Sequence, residues 1–160
     1  MIGNQMPGRQ APLKEAVALR PGSVQDVDFA FRLYRDTMRE YSAAYVLWDD
    51  AKQEANLAEQ LRASDVSIIT FHGSDVGWLA LQENERSLFL GHFYIQSRFQ
   101  RRGIGTELLR RLLDGAAAKR KSVELAVLKN NPARGLYGRV GFVVVGEDAM
   151  KYFMRRSDGI

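Results

Sequence analysis

The residues with the most pointed chemistry in this sequence are Gln100-Arg101-Arg102-Gly103-Ile104-Gly105-Thr106. They follow an apolar run, Leu88–Ile95, whose length and aromatic content suit a buried strand. After them, Ile104, Leu108, Leu109, Leu112 and Leu113 share one face of a helix, while Arg110 and Arg111 fall outside it. The first N–H groups of such a helix lack intrahelical acceptors and carry the positive end of its dipole, so an anion fits there. Gly103 and Gly105 let the backbone approach that anion without a Cβ in the way. The chemistry on offer is phosphate binding by main-chain amides. The spacing is neither G-x-x-x-x-G-K-[ST] nor G-x-G-x-x-G, so neither a nucleoside-triphosphatase loop nor a dinucleotide fingerprint is supported.

A second stretch, Asn130 to Phe142, has its own logic. A strand ends at Leu128, Asn130 and Asn131 supply turn and cap chemistry, and Pro132 stands near a helix start, where its missing N–H costs little. Gly141 ends that helix and Phe142 begins the next strand. Read together, Q-x-R-G-x-G and N-x-x-A-x-x-L-Y-x-x-x-G-F resemble, in this order, the two motifs of the GNAT superfamily of acyl-CoA-dependent N-acyltransferases. The second is matched at Asn130, Ala133, Leu136, Tyr137, Gly141 and Phe142. In element order the resemblance covers Ala16 to Met154, and it is strongest over Leu88–Phe142.

The resemblance implies a mixed α/β sheet, mostly antiparallel, flanked by about four helices, with the fourth and fifth strands parallel and splayed into a V. Acetyl-CoA would lie in that V as the acyl donor, with no metal. The Phe93 N–H would face the thioester carbonyl, and the Ile95 N–H and C=O would pair with the pantetheine amides. Gln100, Arg101, Arg102, Gly103, Ile104, Gly105 and Thr106 would wrap the pyrophosphate. Asn130 and Ala133 would lie along the other arm, and Tyr137 would protonate the leaving thiolate. A phenol with a pKa of about 10 stays protonated at neutral pH and can donate. The general base is less legible. Many family members carry Glu or His early on the fourth strand, but the position four before Phe93 is Phe89. His92 alternates to the side opposite Phe93, and Glu83, Glu85 and Glu124 read as solvated surface. A water-relayed base with no single essential side chain is expected.

The acceptor pocket of such folds is walled by the first two helices and the loop between the last strands. That nominates Tyr41, Tyr45 and Trp48, with Asp49, Asp50, Glu147 and Asp148 as partners for an ammonium. Helix-flank packing for the aromatics and capping for the acids is the plainer account of each one taken singly. The expected activity is acetyl transfer to a primary amine on a small molecule. A protein N-terminus or lysine is the alternative acceptor, and a non-catalytic acyl-CoA sensor is kept in play by Phe89.

The rest of the chain must position these groups. At 160 residues it suits a single domain, and the absence of cysteine excludes disulfides and thiolate chemistry. Two histidines leave metal catalysis without an obvious ligand set. The net charge of +4 concentrates around the glycine loop and at Lys119-Arg120-Lys121, which suits a polyanionic ligand. No nucleic-acid motif accompanies it, and no apolar run approaches a membrane span, so neither partner is expected. Residues 1–15 read as a disordered lead with no signal peptide, residues 16–156 as the domain, and the location as cytoplasmic. A homodimer is the default if the chain self-associates.

Strands are expected at Ala16–Arg20, Val66–Phe71, Val76–Gln82, Ser87–Ile95, Val123–Leu128, Phe142–Val145 and Met150–Met154. Helices are expected after a Ser23 cap to about Tyr41, from Asp49 or Asp50 to about Arg62, over Ile104 to about Ala118 and over Ala133–Val140.

Overall fold

The computed structural model describes residues 12–158. Seven strands form one sheet in the order β1-β2-β3-β4-β5-β7-β6: β1 (Val17–Pro21), β2 (Asp65–Phe71), β3 (Ser74–Glu83), β4 (Ser87–Ile95), β5 (Ser122–Leu128), β6 (Val143–Glu147) and β7 (Lys151–Arg156). All neighbours are antiparallel except β4 and β5. That one parallel step needs a crossover, and the helix α4 (Ile104–Ala118) supplies it. The mixed sheet with a single parallel pair is the expected one.

Helices α2 (Val27–Ser42) and α3 (Asp50–Arg62) cover one face, where Ala30, Phe31, Leu33 and Leu57 meet Ile68, Trp78 and Ala80. On the other face Ile104, Leu108 and Leu109 of α4 join Leu88, Leu90, Val123, Leu125 and Tyr137 in the larger core. Tyr137 comes from α5 (Ala133–Arg139). Ser23 caps the chain entering α2 through a full capping box with Asp26, whose carboxylate also holds Arg20 at 2.8 Å.

The lead expected to stay outside the fold through residue 15 ends earlier. A further short helix, α1 (Leu13–Ala16), packs beside α4, so five α-helices flank the sheet among the described residues. It is pinned because the Arg111 guanidinium donates to the carbonyls of Lys14 and Val17 while Leu13 joins the core. The first eleven residues of the lead lie outside the described ones. The last two strands are each displaced toward the C-terminus of the expected spans. Phe142, 3 % exposed, is drawn into the core against the Tyr137 ring, and β6 therefore starts one residue later.

One irregularity sets the geometry of the site. In the β3–β4 ladder Ala80 faces His92 but Leu81 faces Leu90, so Gly91 is an extra, unpaired residue. The bulge shifts the alternation of β4 by one place. Leu88 and Leu90 before it, and Phe93 and Ile95 after it, all face α4. Phe89, His92 and Tyr94 share the other face, under α2 and α3.

Candidate active site

The β4–β5 pairing runs only from Ser87–Ser122 to Phe89–Glu124 and then stops. Both strands continue, β4 held by β3 to Ile95 and β5 held by β7 to Leu128, so they part into a cleft. The Gln96 N–H donates to the Val76 carbonyl at 2.8 Å, which fixes which residues of β4 bond to β3. By alternation the N–H and C=O of Phe93 and Ile95 point the other way, into the cleft. The Ile95 carbonyl is engaged from that side by the Gln100 side-chain amide, which donates at 2.8 Å. Gln100 therefore turns back to β4, on the carbonyl the sequence assigned to a pantetheine amide.

At the end of β4 the chain makes a 3-10 turn, Ser97–Phe99, and reaches the glycine loop. Arg98 and Arg102 stack over the Phe99 ring at 4.9 and 5.5 Å, which fans the guanidinium groups around the loop. Arg101 holds φ at 61° and Gly103 at 85°. The left-handed conformation costs a non-glycine residue about 1–2 kcal/mol, so Arg101 marks a locally strained loop. Gly103 is the N-cap of α4 and no side chain caps the helix, which leaves its first N–H groups uncovered by side chains. Ile104 is 1 % exposed and contributes its amide, its side chain being core, while Gly105 and Thr106 stay partly open. An uncapped fifteen-residue helix, a left-handed glycine and exposed Arg101 and Arg102 fit a diphosphate.

On the opposite side of the cleft, Tyr137 is 7 % exposed and its ring meets Phe142 edge-on at 5.8 Å. Its hydroxyl has no hydrogen-bond partner among the described residues. Burial pushes this phenol well above its ordinary pKa, so it keeps its proton as a donor. Ala133 packs against the core, with its N–H capped by the Asn131 side chain at 2.9 Å. The Asn130 side-chain amide donates to the Tyr41 carbonyl at 3.1 Å, joining the end of α2 to the loop after β5.

The face of β4 turned toward α2 and α3 carries a cluster that sequence reasoning did not assemble. The Tyr34 ring lies 5.7 Å from Trp48, 5.8 Å from Tyr94 and 5.9 Å from His92. His92 stacks on buried Trp78 at 5.1 Å, and the Trp78 N–H donates to the Ala30 carbonyl. His92 meets the Tyr94 hydroxyl through Nδ1 at 2.9 Å and Gln60 Oε1 through Nε2 at 2.7 Å. Burial, helped by the Lys151 charge, lowers its pKa to about 4, so the ring is neutral at physiological pH. The bulge that gathers these side chains has only Gly91 as its signal in the sequence.

Of the expected acceptor residues, Trp48 enters this cluster and Tyr41 meets Asn130 through its main chain. Tyr45 sits in the turn after α2, where its N–H donates to the Ser42 carbonyl. The four nominated acids are committed elsewhere. Asp49 caps α3, Asp50 accepts from the Trp48 indole, Glu147 pairs with Lys129 at 3.5 Å, and Asp148 accepts from the Met150 and Lys151 amides. Among the candidate bases, Glu83 pairs with Lys119 and Lys121, which hold its carboxyl below the usual range. Glu124 stands across from Phe89 where the strands part, 3.8 Å from Arg155.

A sheet parted at its one parallel pair, with uncapped amides closing one end, is the architecture of an acyl-CoA-dependent acyltransferase. The acetyltransferase (GNAT) domain family matches residues 37–155, and the chain belongs to it. It is an acyltransferase of that class. Solved structures of similar fold include the PaiA N-acetyltransferase of Thermoplasma acidophilum in complex with coenzyme A, at 15 % identity and a TM-score of 0.68, covering 88 % of this chain and 98 % of that one. The spermidine N-acetyltransferase of Vibrio cholerae, in complex with CoA and spermine, is 22 % identical with a TM-score of 0.66 over 90 % and 96 %. The ribosomal-protein-S18-alanine N-acetyltransferase of Escherichia coli is 17 % identical with a TM-score of 0.66 over 90 % and 95 %. No curated protein matches the sequence.

Proposed function

We propose that this acyltransferase moves an acetyl group from acetyl-CoA to a primary amine, by direct attack in a ternary complex, and that the acceptor is a small molecule. The observation that carries the reading is the cleft between β4 and β5, with the uncapped start of α4 at its end. Acetyl-CoA, when bound, supplies a thioester reactive toward amines. The amides of Gly103 to Thr106 and the guanidinium groups of Arg101 and Arg102 hold its diphosphate. The Ile95 N–H donates to a pantetheine carbonyl, and Asn130 and Ala133 line the opposite arm. The Phe93 N–H donates to the thioester oxygen as negative charge builds there, a role worth about 2.7–4 kcal/mol in comparable sites. The Tyr137 hydroxyl gives its proton to the departing sulfur. The attacking amine must be neutral, and it loses its proton to water; of the candidate carboxylates, Glu83 is paired with Lys119 and Lys121, and Glu124 with Arg155.

The acceptor wall of Tyr34, Trp48 and Tyr94 supports an amine with an apolar body. Thiol release from acetyl-CoA, measured with a panel of small amines and with peptides bearing free N-termini, tests the reading. Turnover of small amines supports it, and turnover confined to peptides moves the acceptor to proteins. If every amine fails while coenzyme A still raises the melting temperature, the protein is an acyl-CoA sensor.

A further inference from the structure

We propose that Gln60 and His92 fix the Tyr94 hydroxyl as a hydrogen-bond acceptor, so that its oxygen receives an N–H of the incoming amine. The inference rests on the transferase reading above and deepens it. The Gln60 Oε1 atom can only accept, so the His92 Nε2 atom 2.7 Å away carries the imidazole proton. A neutral ring then has a bare lone pair at Nδ1, and the Tyr94 hydroxyl, 2.9 Å away, must donate to it. With its only proton committed to His92, the phenol oxygen has nothing but lone pairs to present on its other side.

The place of that oxygen is as telling as its polarity. Tyr94 follows Phe93, whose N–H points into the cleft, and its ring is clamped between Trp78 at 5.1 Å and Tyr34 at 5.8 Å. Its electrostatic neighbours are Tyr34 of α2 and Tyr137 of α5, so it stands between the acceptor wall and the other arm of the cleft. An amine entering past Trp48 meets a rigid acceptor beside the thioester, which suits N–H and repels a carboxylate or carbonyl. His92 and Gln60 touch no substrate and act as positioning residues.

Two variants test this. Tyr94→Phe keeps the ring and removes the oxygen. The Michaelis constant of the best amine in the panel is expected to rise about tenfold, with the dissociation constant of acetyl-CoA unchanged. Gln60→Glu, at an exposed position, places a carboxylate on Nε2 and favours the imidazolium. Nδ1 then donates, and the Tyr94 proton turns toward the amine. The amine's Michaelis constant is expected to rise at low pH and recover once the imidazole deprotonates, a profile absent from the wild type. The other groups facing this imidazole are the Lys151 ammonium and the Tyr34 and Tyr94 phenols, both of which burial holds above the ordinary phenol value. An unchanged Michaelis constant in Tyr94→Phe, or a Gln60→Glu profile that follows the wild type, overturns the proposal alone. A wild type that releases no thiol with any amine overturns the transferase reading and this inference with it.

Discussion

The side-chain amide of Asn130 holds the main-chain carbonyl of Tyr41 at 3.1 Å, across 89 residues of sequence. This contact ties the last turn of α2, which borders the acceptor wall, to the arm of the cleft that carries Tyr137. A helix end normally leaves its last carbonyls to solvent or to caps, and here the far arm supplies the donor.

Asn130→Ala is therefore expected to loosen the acceptor wall without touching the phosphate loop. One lost hydrogen bond is worth about 1 kcal/mol, or about 2–4 °C of melting temperature in a chain of this size. Hydrogen exchange should rise in residues 38–42 and stay unchanged in 103–109. Equal protection in 38–42 would show that the contact holds nothing.

Tyr137→Phe removes the proposed acid while keeping the ring that packs on Phe142. General acids contribute roughly 100-fold or more, so kcat should fall by about two orders of magnitude with acetyl-CoA affinity intact. Amide formation measured in a single turnover separates this from slow product release. A kcat within twofold of wild type removes Tyr137 from the chemistry.

Burial raises the pKa of Tyr34, Tyr94 and Tyr137, three of the six tyrosines, above the ordinary phenol value. In the unfolded chain these groups ionise near pH 10, and in the folded one they stay neutral beyond it. Their contribution to stability is complete below pH 10 and is lost as pH rises toward their folded values. His92 works at the other end. Its folded value of about 4 lies below the unfolded 6.5, so stability present above pH 6.5 declines as the pH falls toward 4. An ultraviolet titration should show the Tyr34, Tyr94 and Tyr137 phenols ionising above the ordinary phenol range. Six phenols titrating together near pH 10, in the folded state, would contradict the burial.

Glu124→Gln addresses the base. If water takes the amine proton, this variant should keep at least about a tenth of wild-type kcat, because general-base catalysis by one side chain contributes more than that. Abolition of the chemical step with acetyl-CoA binding spared would make Glu124 the base.

The spans of β4 and α4, Ser87–Ile95 and Ile104–Ala118, were legible, because a dense apolar run and a strong helical period flank an unmistakable glycine turn. The place of Phe89 was not. Counting by twos from Phe93 puts it on the α4 face, and only the bulge at Gly91 moves it beside His92. A bulge is set by pairing with the neighbouring strand, which leaves no periodic trace in the sequence. The same holds for Gln60, Trp78 and Tyr34, which converge on His92 from separate elements. Leu13 looked like part of a tail because four residues of helix have no readable period, and its order comes from Arg111 nearly a hundred residues on.

Gly103→Ala probes the phosphate cradle directly. A Cβ at φ 85° is strained and would stand 3.0 Å from Leu13 Cδ2, so the loop must change shape to relieve the backbone, while the Leu13 side chain gives way slightly. Coenzyme A affinity is expected to fall by about tenfold or more, given about 1–2 kcal/mol for a left-handed non-glycine residue.

The most direct measurement is a titration of the 15N-labelled protein with coenzyme A, followed by amide chemical shifts. The largest shifts are expected on Phe93, Ile95 and Gly103 to Thr106, with smaller ones at Tyr137. No saturable shift, or shifts confined to the hollow formed by Arg110, Leu113, Arg139 and Arg156 beside the middle of α4, would contradict it.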